Sequence, residues 1–202
     1  MSSAIGRALA RGLAAILIGL ASLNANAAEV VVGQVAPFSG PLAPTGTHMR
    51  AGAQLYFDAV NAAGGIHGAK IRLLSKDDGY KTAETIRLAR EILQKSQPVA
   101  FFGFVGTGNV EAILENKVLS EAGIPLVAVR TGAASVVQRN DPLLFMTRAT
   151  YAAEVQKIVD QYATTGYSSF AILYQDDPFG RDVLGSAEQA IKAAGGSLVA
   201  TG

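Results

Sequence analysis

The chain alternates short apolar, β-branched runs with segments whose apolar residues recur at helical spacing. The apolar runs are VVVGQVA (30–36), KIRLLSKD (70–77), VAFFGF (99–104) and PLVAV (125–129). The helical stripes between them are Met49, Ala53, Tyr56, Phe57 and Val60; Ile86, Ala89 and Leu93; and Val110, Ile113, Leu114 and Val118. Strands that alternate with helices through short loops pair in parallel and carry helices on both faces. We therefore predict a doubly wound α/β lobe over residues 28–148.

A second unit begins after the short run LLFMTRAT (143–150). Its pattern is a helical stripe at 155–162, a strand SFAILYQ (169–175), a helix at 178–194 and the start of another strand, SLVATG. Asp177-Pro178 is typical of a helix N-cap followed by proline in the first turn. About 50 residues are marginal for burying a core alone. We therefore predict an incomplete second α/β lobe over 149–202 and expect the sequence to be a fragment.

Residues 1–27 have the layout of a secretory signal peptide. Arg7 and Arg11 precede the apolar run LAAILIGLASL (13–23), and Ala25-Asn26-Ala27 has the small-x-small pattern that signal peptidase cleaves. The run falls short of the roughly 20 residues that span a bilayer, and it has too few polar residues for a soluble amphipathic helix. We predict cleavage and export to the periplasm.

Charge and composition exclude several function classes. Of the 17 basic and 16 acidic residues, only Arg7 and Arg11 lie in the predicted signal, so 15 basic and 16 acidic residues would remain. A near-neutral chain without a basic run is a poor nucleic-acid partner. The chain has no cysteine, which excludes disulfides, thiolate metal sites and thiol nucleophiles.

A glycine-rich loop, FFGFVGTGNV (101–110), follows the third predicted strand. Ligands of open α/β sheets bind beyond the carboxyl ends of the strands, where loops enter helices. Gly103, Gly106 and Gly108 would let a ligand approach the backbone, Thr107 offers a hydroxyl, and Asn109 is a candidate cap. Free amides at a helix start favour a negative group.

A nucleotide phosphate does not fit this loop. A P-loop ends in Gly-Lys-Ser/Thr, and no lysine lies between Lys95 and Lys117; the dinucleotide pattern G-x-G-x-x-G is also absent. We predict no cofactor and favour a small carboxylate as the anion. The alternative is that the glycines serve only the turn.

No catalytic or metal constellation is evident among the polar residues. The pairs Asp77-Asp78 and Asp176-Asp177 are expected to cap helices or accept hydrogen bonds from neighbouring amides. His48 and His67 lack the companions of a zinc site or a triad and are expected on the surface. We predict that the protein is not an enzyme.

Several segments, in order, resemble the periplasmic solute-binding proteins of ABC importers, in the branched-chain amino-acid-binding (Leu/Ile/Val) family. They are GQVAPFSGPLAPTGTHMRAG (33–52), VNAAGGIHGAKIRLLSKDDGY (60–80), FFGFVGTGN (101–109), AGIPLVAVRTGA (122–133) and YQDDPFGRD (174–182). The resemblance implies the type I periplasmic-binding-protein fold, in which two α/β lobes close on a ligand. It further implies a monomeric receptor that binds an amino acid or similar molecule and interacts with ABC permease subunits in the inner membrane.

The resemblance also implies ligand-binding positions. Thr107 with Gly108, and Thr131 with Gly132, match the two strand-end loops of the first lobe. Thr45 aligns with an aromatic cleft position, and Phe179 aligns with an aromatic residue of the second lobe. Tyr151 lies just past the point where the chain crosses from the first lobe to the second, so it either lines the cleft or packs at the hinge between the lobes.

Two departures from the family pattern bear on the ligand. Gly108 stands where serine or proline is frequent, and Arg130 stands where a smaller residue is common. If Arg130 faces the cleft, the ligand carries an extra negative group. The acid that pairs with an amino group comes, in the family, from a part beyond residue 202.

Two other functions stay open at this point. A sensory domain of the same fold would be coupled to a signalling partner. An exported α/β enzyme would need a nucleophile, which the sequence does not supply.

Overall fold

The first unit of the structure, a computed structural model that describes residues 29–202, is a five-stranded sheet. Its strands are β1 (Glu29–Ala36), β2 (Lys70–Asp77), β3 (Ala100–Phe102), β4 (Leu126–Val127) and β5 (Leu144–Phe145). Their order is β2-β1-β3-β4-β5, and every neighbouring pair is parallel. The predicted parallel sheet is confirmed, whereas the predicted signal peptide lies outside the described residues.

Helices cover both faces of this sheet. They are α1 (Ala43–Ala62), α2 (Thr82–Ser96), α3 (Thr107–Glu115), α4 (Val118–Ala122) and α5 (Ala134–Val137). On one face, Phe57 of α1 contacts Phe102 of β3 edge to face, with ring centroids 6.4 Å apart. On the other face, a Cβ added to Gly33 would lie 2.7 Å from the Phe101 ring and 3.0 Å from Ile92 of α2. Glycine in β1 therefore lets α2 pack closely.

The main core lies between the sheet and α2, α3 and α4. Its fully buried side chains include Val35, Ile92, Phe101, Phe104, Ile113 and Leu126. Burial of each such side chain contributes about 1.5–3 kcal/mol. This core fixes the carboxyl ends of β1, β3 and β4, and so the loops that follow them.

The second unit consists of two helices and two strands, which alternate along the chain and have their own small core. Its elements are α6 (Tyr151–Thr164), β6 (Ser169–Ile172), α7 (Pro178–Ala193) and β7 (Ser197–Thr201). Strands β6 and β7 form a separate parallel sheet. Val159, Ala187, Ala190 and Ile191 are buried between α6, α7 and this sheet. The separate sheet and core support a second lobe, whose limits at 149 and 202 stay a proposal.

Three local predictions differ from the structure. Helix α1 begins at Ala43, inside the predicted loop 37–47, because Pro44 in the first turn is compatible with a helix start. The predicted stripe from Val110 to Val118 is split between α3 and α4, since Lys117 has a φ of 55°. Tyr56 is 69% exposed, because the face that meets the sheet follows the four-residue spacing of Met49, Ala53 and Phe57.

Candidate functional site

A cavity of about 330 Å³ lies between the strand-end loops of the first unit and helices α6 and α7 of the second. From the first unit it is lined by Leu42, Thr45, Tyr80, Val105, Thr107 and Arg130. From the crossover and the second unit it is lined by Arg148, Tyr151, Glu154, Ile158, Gln175 and Phe179. We call this cavity the cleft. Its volume falls in the range of small-molecule sites.

Four of the predicted site residues meet in the cleft. Thr45 lies in the first turn of α1, Thr107 begins α3, Tyr151 begins α6, and Phe179 lies in the first turn of α7. The rings of Tyr151 and Phe179 pack edge to face at 5.1 Å. Helix starts from both units therefore converge on one space, as expected where parallel strands end.

The other predicted residues lie behind the wall of the cleft. Thr131 is fully buried, and its hydroxyl lies 2.8 Å from the equally buried hydroxyl of Thr107. A Cβ on Gly132 would lie 2.6 Å from the carbonyl oxygen of Ala149, and one on Gly108 would lie 3.2 Å from Pro178. These glycines therefore allow the second unit to approach the first.

The glycine loop delivers the start of α3 to the cleft. Gly106 is the N-cap residue with a φ of 105°. A Cβ there would lie 2.4 Å from the Asn109 side chain and 2.5 Å from the Tyr80 ring. The first helical hydrogen bond runs from the Val110 amide to the Gly106 carbonyl. The amides of residues 107–109 precede it and are the first-turn donors that a helix leaves for an anion.

Asn109 does not cap α3, contrary to the prediction. Its side-chain amide is buried and donates to the Thr85 hydroxyl at 2.7 Å. The Thr85 hydroxyl in turn donates to Asp78 at 2.7 Å, and Asp78 accepts the Tyr80 amide at 2.9 Å. Desolvation by burial raises the pKa of Asp78, although the hydrogen bonds from Thr85 and Tyr80 oppose that rise. This buried network holds Tyr80 at the cleft.

Tyr80 also joins the two units. Its hydroxyl donates to Asp177 at 3.1 Å. Asp177 is the N-cap residue of α7 and accepts the Gly180 amide at 2.9 Å, which confirms the predicted cap. Desolvation, together with the charge and hydrogen bond of Asp177, raises the pKa of Tyr80 well above its ordinary value of 10. Tyr80 therefore stays a neutral hydrogen-bond donor.

Asp77 accepts hydrogen bonds from neighbouring amides, as predicted. The Phe38 amide donates at 2.8 Å and the Gly79 amide at 2.9 Å. Desolvation raises the pKa of Asp77, but these hydrogen bonds, with that from Ser39, outweigh it and leave the pKa lowered. His48 and His67 are exposed. In residues 29–202 there is no cluster of three or more side chains able to hold a metal ion.

The charged wall of the cleft consists of Arg130, Arg148 and Glu154. Arg148 donates from Nη2 to Glu154, and its guanidinium carbon lies 4.7 Å from the centre of the Tyr151 ring. Its Nη1 is buried and has no hydrogen-bond partner within the described chain. Arg130 is exposed at the cleft and takes part in none of the ion pairs found between residues 29 and 202. The wall therefore offers more positive than negative charge.

Sequence reasoning missed Tyr80, Arg148 and Glu154 as cleft residues. Arg148 follows β5, so it lies at the same sheet edge as the residues that follow β3 and β4. The strand-end rule that selected Thr107 would also have selected Arg148. Tyr80 follows β2 at the same distance in sequence as Arg148 follows β5, so the same rule would have selected it too.

A family model described as periplasmic binding protein matches residues 29–202. Among curated relatives, Leu/Ile/Val-binding protein homolog 8 of Brucella suis biovar 1 (strain 1330) is 30% identical over 193 residues, which cover 91% of this chain and 47% of the relative. The chain spans about half the length of the curated relatives it matches.

Solved structures give the same grouping. A substrate-binding periplasmic protein from Ralstonia solanacearum superposes with a TM-score of 0.81 at 40% identity, over 85% of this chain and 48% of that one. A solute-binding protein of an ABC transporter from Rhodopseudomonas palustris BisB5, solved with 3,4-dihydroxybenzoic acid, gives a TM-score of 0.76 at 27% identity, over 86% and 46%. These relatives are binding proteins, so the prediction of a non-enzymatic protein is confirmed.

Proposed function

The chain belongs to the periplasmic binding protein family, and from that premise we propose that it is an extracytoplasmic solute receptor of an ABC transporter. Its fold is that of the type I periplasmic binding proteins. The receptor binds a small carboxylate, an amino acid or a related molecule, between its two lobes. It then delivers the ligand to permease subunits in the inner membrane.

The observation that carries the proposal is the composition of the cleft. The start of α3 at Gly106 and Thr107 and the exposed Arg130 line the cleft from the first unit, opposite the aromatic Tyr151 and Phe179. A concave, largely apolar site with a few polar groups is typical of small-molecule binding. The positive groups suit a carboxylate. The relative from Rhodopseudomonas palustris BisB5, which was solved with a hydroxylated benzoic acid, supports the same ligand class.

The proposed ligand contacts are Thr45, Thr107, Tyr151 and Phe179, with the Thr107 contact made through its main chain. Thr131, Gly108 and Gly132 do not line the cleft and contribute to binding indirectly. The Thr131 hydroxyl supports Thr107, and the two glycines allow the units to approach. The proposed mechanism is closure of the two units about the ligand. A ligand that contacts both units binds the closed arrangement more tightly than an open one, and so it shifts the equilibrium towards closure.

Partner and location follow from the same proposal. A receptor of this kind works in the periplasm, after removal of the predicted signal peptide, and its closed form is recognised by the permease. Along residues 29–202, none of the helices is long and apolar enough to cross a membrane. We propose that the receptor acts as a monomer.

A thermal-shift screen of the full-length protein tests the receptor proposal. The panel contains amino acids, their amides and small carboxylates, and ligand recovery is followed by chromatography. At least one carboxylate should raise the melting temperature in a saturable way and be recovered unchanged. Turnover of a bound ligand, or no shift from any carboxylate or amino acid, would contradict it.

A further inference from the structure

Three buried polar side chains connect the elements behind the wall of the cleft. Asp78 follows β2, Thr85 lies in the first turn of α2, and Asn109 lies in the first turn of α3. Each of them is at most 3% exposed, and none of them lines the cleft. Buried polar side chains that satisfy one another hold their surroundings in a single arrangement. We call these three side chains the buried network.

Thr85 is the central member of the buried network. Its hydroxyl accepts the Asn109 amide at 2.7 Å and donates to the Asp78 carboxylate at 2.7 Å. The direct distance from the Asn109 amide to the Asp78 carboxylate is 3.5 Å, which is too long for a strong hydrogen bond. Without the Thr85 hydroxyl, a buried donor and a buried acceptor would each lose a close partner.

The buried network confines the main chain at the start of α3. Gly106 has a φ of 105°, and a Cβ on it would lie 2.4 Å from Oδ1 of Asn109 and 2.5 Å from the Tyr80 ring. Both of these neighbours are tied to the network, Asn109 through its side-chain amide and Tyr80 through its main-chain amide, which donates to Asp78 at 2.9 Å. Gly106 and Thr107 line the cleft. The network therefore holds the first turn of α3 where it faces the cleft.

We propose that Thr85 is a positioning residue for ligand binding, although it lies outside the cleft. This inference rests on the proposed function as a receptor for a small carboxylate. Through Asn109, Thr85 holds the first-turn amides of α3 in the orientation that a carboxylate needs. Donors that are oriented before the ligand arrives do not have to be ordered on binding, so the network increases affinity for the carboxylate group.

Hydrogen exchange in the ligand-free, full-length protein tests the positioning step. Thr85→Val removes the hydroxyl and keeps the branched shape of the side chain. The Val110 amide makes the first hydrogen bond of α3, to the Gly106 carbonyl at 3.0 Å. We expect Thr85→Val to speed exchange of this amide by about tenfold, because the first turn opens more often. If Thr85→Val does not fold, Asn109→Ala removes the other partner of the same hydrogen bond and takes its place.

Asn61→Ala is the matched control for hydrogen exchange. The Asn61 side chain accepts the Ile71 amide at 2.7 Å and donates to the Ile71 carbonyl at 2.8 Å, and it does not line the cleft. This variant should speed exchange of the Ile71 amide and leave that of Val110 unchanged, whereas Thr85→Val should do the reverse. Thr85→Ser retains the hydroxyl and should keep exchange at Val110 slow.

Titration calorimetry of the full-length protein tests the effect on binding. The probes are two acid–amide pairs, L-leucine with L-leucinamide and benzoate with benzamide, and the members of each pair differ only at the carboxylate. The unmodified protein should prefer the acid in at least one pair. Thr85→Val should reduce that preference by about tenfold, by weakening the binding of the acid.

The ratio of acid to amide affinity separates positioning from a general loss of stability. A less stable protein would bind the acid and its amide more weakly by the same factor, so the ratio would not change. Asn61→Ala and Thr85→Ser should both preserve the ratio of the unmodified protein.

The outcomes separate this proposal from the receptor function. Equal weakening of an acid and its amide by Thr85→Val, or unchanged exchange at Val110, would overturn the role of Thr85 and leave the receptor function standing. If the unmodified protein binds neither acid more tightly than its amide, the start of α3 does not hold a carboxylate, and the role of Thr85 fails with it. Turnover of a probe would instead overturn the receptor function.

Discussion

Two adjacent aspartates, Asp77 and Asp78, have opposite environments. Asp77 is exposed and accepts two backbone amides, whereas Asp78 is 2% exposed and accepts the Thr85 hydroxyl and the Tyr80 amide. Desolvation raises the pKa of Asp78, and hydrogen bonds lower that of Asp77 in spite of a desolvation contribution that would raise it. Two neighbouring carboxyl groups at the end of β2 therefore have pKa shifts of opposite sign.

This reversal predicts opposite pH dependences for Asp77→Asn and Asp78→Asn. Between 3.8 and the raised pKa of Asp78, the native state binds more protons than the unfolded state, so the Asp78 contribution to stability falls as pH rises. The Asp77 contribution is present above 3.8 and is lost as pH falls through its lowered pKa.

Urea unfolding of both variants from about pH 3 to pH 7 measures these contributions. The stability advantage of wild type over Asp78→Asn should shrink as pH rises through the window above 3.8. The stability advantage of wild type over Asp77→Asn should instead shrink as pH falls below 3.8. At neutral pH this advantage should not exceed about 1 kcal/mol, since solvent screens the exposed Asp77 carboxylate. Parallel pH profiles would contradict the assigned environments.

The buried hydroxyl pair of Thr107 and Thr131 changes the expected effect of Thr107→Val. From sequence alone, that variant should lose ligand-induced stabilisation while the ligand-free protein keeps its stability. In the structure the Thr107 hydroxyl is fully buried against that of Thr131, which also accepts the Ala133 amide at 3.3 Å. Valine would leave the Thr131 hydroxyl without this partner, so the ligand-free protein should lose about 1–3 kcal/mol.

A double-mutant cycle measures this pair. Thr107→Val and Thr131→Val together should cost less than the sum of the single variants, with a coupling of about 0.5–3 kcal/mol, because the double variant leaves neither hydroxyl unpaired. Thr107→Ser, which retains the hydroxyl, is the matched control. Additive effects of the two valine variants would show that the hydroxyls do not interact.

At the scale of elements, periodicity predicts the strands and helices well where a single contact surface decides the pattern. Strand β2 spans the predicted residues 70–77, and the N-cap of α7 is predicted at the correct residue. The aspartate–proline pair suffices there because a cap is a local interaction. Local interactions are visible in a sequence, so these elements could be predicted.

The predictions that differ depend on contacts distant in sequence. Asn109 has the chemistry of a cap, but it donates to Thr85, 24 residues away. Tyr80 enters the cleft because Asp78 and Asp177, 97 residues beyond Tyr80, hold its two ends. The resemblance to binding proteins supplied Phe179 and Tyr151, which periodicity alone would assign to the core. Much of the cleft could therefore be predicted, including the strand-end position of Arg130, but not the pairing of Arg148 with Glu154.

Asp177→Ala tests the cap of α7. The Gly180 amide would lose its acceptor and Tyr80 would lose its partner between the units, so the free energy of unfolding should fall by about 1–2 kcal/mol. Asp176→Ala is the matched control, since Asp176 is exposed and pairs only with Arg181. That variant should change stability by less than about 0.5 kcal/mol.

Chemical denaturation monitored by circular dichroism measures both Asp177→Ala and its control. Asp177→Asn retains a side-chain oxygen for the Gly180 amide and should recover most of the loss. Equal destabilisation by Asp176→Ala and Asp177→Ala would contradict the cap, because it would make the effect one of charge alone.

For the whole molecule, α7 is the element through which the second unit sits on the first. Its cap accepts the Tyr80 hydroxyl, and Pro178 lies against Gly108. Asp182, one turn further, accepts the Ala134 amide of the first unit at 2.9 Å. Of the residues that make these contacts, Tyr80 lines the cleft, whereas Pro178, Gly108, Asp182 and Ala134 do not. The same helix therefore links ligand contact at Phe179 to the arrangement of the two units.

Asp182→Ala should loosen this arrangement without touching the ligand, since Asp182 does not line the cleft. The Ala134 amide would lose its acceptor in the closed arrangement only, because water can replace it once the units separate. If the receptor proposal holds, the Kd of the best ligand should rise by up to about tenfold, since only the closed fraction binds with full affinity.

Small-angle scattering of the ligand-free Asp182→Ala variant should show a larger radius of gyration, and saturating ligand should reverse the increase. Asp160→Ala, which removes an exposed aspartate bonded to Gln156 within α6, should alter neither quantity. An unchanged Kd together with an unchanged radius for Asp182→Ala would mean that this hydrogen bond does not contribute to closure.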